Sequence, residues 1–278
     1  MVRVGKVRGQ QQLFDKHGRA TWRDGKRVRL KRRRKPGRKP NGPRAGSPHN
    51  KRPELKPGQP VHVVLRVVDE MGNLRRRHMY KALREATIAV AKRELAYDEH
   101  AAFRIVHLSI QRNHVHLLVE ADHKLALSRG MQSFQISAAK QLNRALSVDS
   151  IRVGERTAGW RERAMAQRRR GTVFPDRFHQ EIITCPQQAR RTLAYVLNNW
   201  RKHREDQADF AEGWNVDPFS TGVFFDGWKE REGAEVLWKW RDTYEPLIVY
   251  FPKSWLLREG WRKHGLVELG EIPSAKRS

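Results

Sequence analysis

The chain has 278 residues, of which 57 are Lys or Arg and 30 Asp or Glu, giving a formal net charge of +27. That imbalance points to a polyanionic partner, nucleic acid first and an anionic membrane surface second. No apolar run is long enough for a transmembrane helix and no apolar stretch follows the N-terminal charges as in a secretory signal. The single cysteine, Cys185, excludes an internal disulfide or a Cys-rich zinc site and fits a reducing, cytoplasmic location.

Residues 1–58 carry only Asp15, Asp24 and Glu54 against a dense series of Lys and Arg, thickest over 26–35 and followed by Pro- and Gly-rich sequence. Such a composition buries too little apolar surface to fold alone, so it reads as a flexible basic arm. Arg32, Arg33, Arg34, Lys35, Arg38 and Lys39 are its candidate phosphate contacts. The alternative is a solvated tail with no specific role.

A domain is expected over 59–205. The β-branched run 61–68 reads as a strand. Residues 75–95 read as a helix, with Met79, Leu83, Ala86, Val90 and Leu95 at helical spacing. Two strands follow, 103–112 and 114–121, joined tightly at Asn113 and therefore antiparallel. A second helix is expected over 125–146, its apolar side formed by Met131, Phe134, Ile136, Ala138 and Leu142. Residues 150–171 look like a basic loop whose Arg168, Arg169 and Arg170 could follow a nucleic-acid backbone. A strand lies within 173–184, and Pro186 opens a helix running to about 205. Cys185 reads as a small buried residue and Glu120 as an exposed strand end. Residues 206–278, rich in tryptophan, are expected to pack on the main domain as an extension. The order strand, helix, strand, strand, helix, strand, helix predicts an α+β fold: a mainly antiparallel sheet with helices packed on one face, akin to ferredoxin-like or RNA-recognition-type topology.

His114 and His116 stand one residue apart in an apolar strand pattern, so both imidazoles point to one face. Taken alone, the pair suits half of a divalent-metal site or two half-buried strand histidines satisfied by hydrogen bonds. Tyr195 and Asn199 lie four apart on the last helix and share a face, while Leu193, Val196, Leu197 and Trp200 supply its packing side. A tyrosine hydroxyl can serve as a covalent nucleophile, and an asparagine oxygen beside two imidazoles suits Mg²⁺ or Mn²⁺. Tyr195 could equally be a packed amphipathic residue, and Asn198 could replace Asn199, although helical phase favours Asn199. His62 and His179 read as ordinary strand histidines, the alternative being contact with phosphate or metal-bound water.

The His114-Val115-His116 strand after Arg112-Asn113 resembles the HUH motif of single-strand DNA nucleases. Tyr195 with Asn199 is similar to the helix of single-tyrosine HUH transposases, above all the REP-associated tyrosine transposases. Phe174-Pro175-Asp176-Arg177-Phe178-His179 and Val61-His62-Val63 add to the likeness, which spans roughly residues 58–205. Where members often follow the asparagine with proline, Trp200 follows here. The resemblance implies an HUH nuclease fold with a divalent metal, Mg or Mn, held by His114, His116 and Asn199. It implies Tyr195 as the nucleophile, a 5′-phosphotyrosine intermediate, single-stranded or hairpin DNA as partner, a possible homodimer and a bacterial, nucleoid-associated location. The alternative is a domesticated relative that holds nucleic acid without cutting it.

Overall fold

The computed structural model describes residues 4–7, 10–14, 20–23, 26–27, 52–97, 101–149, 169–208, 211–231 and 244–272. The chain divides into two compact units, 1–46 and 47–278.

In the first unit, β1 (Val4–Val7), β2 (Gln10–Phe14), β3 (Ala20–Arg23) and β4 (Lys26–Arg27) pair in that order as an antiparallel meander. The register sets Val4 opposite Leu13, Leu13 opposite Trp22, and Trp22 opposite Arg27. A structureless arm is therefore not what these residues form. Hairpins satisfy backbone groups between neighbours in sequence, which a basic composition does not prevent. Arg32, Arg33, Arg34, Lys35, Arg38 and Lys39 lie outside the described residues.

The second unit holds β5 (Val61–Arg66), α1 (Arg77–Tyr97), β6 (Phe103–Ile110), β7 (His114–Ala121), α2 (Lys124–Asp149), β8 (His179–Ile182) and α3 (Pro186–Leu197). Its sheet runs β6-β7-β5-β8 with every pair antiparallel. With two βαβ halves interleaved, this is the ferredoxin-like order expected from the sequence. The β6–β7 turn is tight: Gln111 donates its amide to the His114 carbonyl at 2.9 Å.

Val61, Val63, Leu65, Ile105, Leu108, Ile110, Val115, Leu117 and Val119 bury one sheet face against Met79, Leu83, Ala86 and Val90 of α1 and Met131, Phe134, Ala138 and Leu142 of α2. Two expected core positions, Leu95 and Ile136, are about half exposed; each falls off the buried stripe of its helix. The opposite face is covered too. Val106 and Leu118 meet Ala189, Leu193, Val196 and Leu197 of α3 together with Trp228 and Trp261 of the C-terminal extension. Trp228 and Trp261 thus lie on this face with α3, and the sheet is sandwiched rather than covered on one face.

Several local expectations shift. The fourth strand shrinks to His179–Ile182; Pro175, lacking an N–H, cannot serve a ladder before it. The last helix stops at Leu197. Asn198 ends it with φ −103° and ψ 14°, and a further turn, α4 (Asn199–Lys202), follows. Cys185 is exposed, sitting just before Pro186 at the helix start. Glu120 is buried rather than exposed: it pairs with Arg104 at 3.3 Å and accepts the backbone N–H groups of Lys253 and Ser254 at 2.8 and 2.9 Å. Its carboxylate sits where the short helix α5 (Trp255–Arg258) begins, which suits the exposed amides of a helix start. Among the described residues no helix is long and apolar enough to cross a membrane.

Candidate active site

The site forms on the sheet face that meets α3. Strand parity turns His114 and His116 to this face. β7 pairs with β5 so that Val64 lies opposite His116 and His62 opposite Leu118. His62 is therefore a diagonal neighbour of His116. The two Nε2 atoms of His114 and His116 stand 3.0 Å apart. Each ring's other nitrogen is engaged: His114 Nδ1 with Asn113 Oδ1 at 2.8 Å, and His116 Nδ1 with His62 Nε2 at 3.1 Å.

Tyr195 reaches the same patch from α3. Its ring meets His116 edge-on, with centroids 5.3 Å apart at 88°, and His62 at 5.8 Å and 72°. The helix achieves this by burying Leu193, Ala194, Val196 and Leu197, which leaves Tyr195 half-buried at the margin. Lys202 carries its Nζ 4.8 Å from the centre of the Tyr195 ring, and His203 lies 5.4 Å from the His114 ring.

Electrostatics keep the imidazoles neutral. Burial, then the charges of His203, Arg66 and Lys202, push His114 down to about 4. Burial, then His62, His114, His203 and Lys202, hold His116 well below the usual histidine range. Neutral rings with free lone pairs are what a metal requires.

The donor set fits a hard divalent ion. Ligands at about 2.1 Å on adjacent octahedral positions lie about 3 Å apart, which matches the spacing of the two Nε2 atoms. Among the described residues no group of three or more His, Cys, Asp and Glu is arranged to hold a metal. Asn199 is fully buried and neither end of its amide has a hydrogen-bond partner. A buried amide left without partners is costly unless something else takes it up. Asn198, by contrast, donates its amide nitrogen to the Glu268 carbonyl at 2.9 Å, toward the C-terminal segment.

The remaining expected residues fall elsewhere. Arg168 is outside the described residues. Arg169 is tied back to α2, its guanidinium donating to Asn143 Oδ1 at 2.7 Å and its amide to Ser147 Oγ at 2.8 Å; Arg170 is exposed beside it. His179 is exposed opposite Val64. Three further residues complete the patch: Lys202, His203 and His62. Lys202 and His203, seven and eight positions after Tyr195, were open to detection by helical spacing. His62 required the strand register.

Residues 60–163 match the family model described as transposase, IS200-like. Over this stretch the chain is IS200-like. The matched stretch runs from Pro60 through both histidines and stops before Tyr195. A transposase-like role in DNA processing goes with it. No curated protein matches the chain. A solved structure of a REP-associated tyrosine transposase bound to a REP hairpin aligns with 56% of this chain and 74% of its own, at 16% identity and a TM-score of 0.39.

Proposed function

We propose that this protein cuts and rejoins single-stranded DNA, hairpins included, by transesterification through Tyr195, with His114, His116 and Asn199 holding Mg²⁺ or Mn²⁺. The observation that carries this reading is the approach of the Tyr195 ring to His116. That tyrosine lies outside the IS200-like stretch, yet it stands beside the histidine pair.

Tyr195 Oη attacks the scissile phosphorus. An O–P bond forms to the tyrosine, the P–O3′ bond breaks, and the departing 3′ oxygen takes a proton while the phenol gives one up. The 5′-phosphotyrosine keeps the energy of the phosphodiester, so a 3′-hydroxyl attacking it reseals a strand without ATP. A bound divalent cation would supply Lewis-acid polarisation of the phosphate. Lys202, beside the tyrosine ring, adds a positive charge where the phosphate must sit.

The test is incubation of the full chain with 3′-end-labelled single-stranded DNA and Mn²⁺, followed by a denaturing gel. The wild type is expected to give a protein–DNA adduct and Tyr195→Phe none. No adduct from the wild type, or one that persists in Tyr195→Phe, overturns the reading.

A further inference from the structure

We infer that His62 is a positioning residue for this site: it orients the His116 imidazole so that Nε2, not Nδ1, faces His114. The inference rests on the proposed function for the purpose of that orientation and on geometry for its existence. Both rings are buried, at 8% exposure for His62 and 2% for His116. Their nitrogens meet at 3.1 Å and their planes are tilted by only 17°, with centroids 5.3 Å apart. Tyr195 closes the cluster by setting its ring edge-on to both. His62 therefore touches the ligand candidate and the nucleophile candidate at once.

A ligating histidine works best when its second nitrogen donates to a fixed acceptor, which locks tautomer and ring angle. His114 has this arrangement through Asn113 Oδ1. For His116 the partner of Nδ1 is His62 Nε2 at 3.1 Å; when a cation takes the His116 Nε2 lone pair, the proton of His116 lies on Nδ1 and His62 accepts it. The usual acceptor is a carboxylate or a carbonyl. An imidazole in that role brings no negative charge to a patch that must receive a phosphodiester, so orientation is secured without repelling the substrate. The role was hidden in the sequence because His62 lies 54 residues from His116 and meets it only through the diagonal of the β5–β7 register.

The test has a metal-free arm and a metal arm, both on the full chain. In the metal-free, ¹⁵N-labelled protein, long-range imidazole spectra are expected to report a single His116 tautomer, held by its contacts with His62 and His114. His62→Phe should move or split those signals, while His62→Gln, whose amide oxygen can take the place of Nε2, should preserve them. His62→Asn has a shorter amide that stops short of His116, and it should reproduce the loss if the Phe variant does not fold. In the metal arm, calorimetric titration with Mn²⁺ is expected to show affinity weakened about 10- to 100-fold in His62→Phe or His62→Asn and largely kept in His62→Gln. His116 signals indifferent to loss of the His62 nitrogen overturn the inference, whatever Mn²⁺ does. Equal Mn²⁺ binding by wild type and His116→Ala sinks the metal reading instead, and a changed His116 spectrum then still upholds the pairing.

Discussion

Arg190 of α3 grips both carboxylate oxygens of Glu271, at 2.6 and 2.8 Å, across 81 residues of chain. The same guanidinium donates to the Leu266 carbonyl, and three residues past Tyr195 the pattern is matched at the helix end by Asn198 on the Glu268 carbonyl. The helix that carries Tyr195 is therefore strapped at both ends by the last described segment of the chain. Trp261 and Val267 fill the space beneath the strap.

Glu271→Ala should lower stability by about 1 kcal/mol, the scale of a two-pronged but partly solvated Arg–carboxylate pair. The local effect should be sharper. Amides of α3 are expected to exchange with solvent faster, because the helix loses one of its tertiary anchors. Chemical denaturation and amide exchange measure the two effects. Unchanged exchange along α3 would mean that the strap rests on the helix without holding it.

Gly130 gives a second prediction, from close packing. A Cβ there would fall 2.0 Å from Cγ of Phe103, whose ring is fully buried. In a helix interior Gly→Ala ordinarily stabilises by about 0.5–1 kcal/mol. Here the ring has nowhere to go, so Gly130→Ala is expected to destabilise by about 1–3 kcal/mol. Phe103→Leu should recover part of that loss in the double variant, since the two side chains compete for one space. Equilibrium unfolding of the four proteins tests the coupling; a more stable Gly130→Ala would refute it.

What the sequence disclosed and what it hid divide along the same line as local and remote contacts. His114 and His116 were readable because parity along one strand decides their face, and the two long helices because Met79, Leu83, Ala86 and Val90, or Met131, Phe134 and Leu142, repeat at helical spacing. Even the topology followed from element order and one tight turn. Glu120 was misjudged because its partners, Arg104 on the next strand and two amides 133 and 134 residues away, leave no local trace. The helix break at Asn198 was invisible for the same reason: the carbonyl its side chain binds lies 70 residues on. Trp228 and Trp261 were visible as large apolar residues, but which face they would cover was not.

The basic N-terminal segment yields a third prediction, tied to the proposed handling of single-stranded DNA. Each phosphate neutralised by Lys or Arg adds about 0.7 to the slope of log affinity against log salt for a single strand. Deleting residues 1–46, the first compact unit, removes Arg32, Arg33, Arg34, Lys35, Arg38 and Lys39 together. Affinity should fall most at low salt and the slope should become shallower. Fluorescence anisotropy across a salt series measures both. An identical slope would leave those cations no part in binding.

The fourth prediction concerns acid stability and His107. This ring is buried beside Phe225, with Nδ1 held 3.1 Å from Thr221 Oγ1. Burial pushes it down to about 4, against a smaller upward pull from Asp226. The unfolded chain binds a proton near pH 6.5 and the folded chain resists it to about 4, so between those values the unfolded state holds more protons. Stability from this group is therefore complete above pH 6.5 and drains away as the pH falls toward 4. The full loss is about 3 kcal/mol, at 1.36 kcal/mol per pKa unit. His107→Asn keeps a polar atom near the Nδ1 position for Thr221 and removes the titration. His114 and His116 titrate in both proteins and cancel from the comparison. Denaturation at pH 7 and pH 4 should thus find the wild type losing about 3 kcal/mol more than His107→Asn. Parallel pH curves for the two proteins would place the acid sensitivity in other groups.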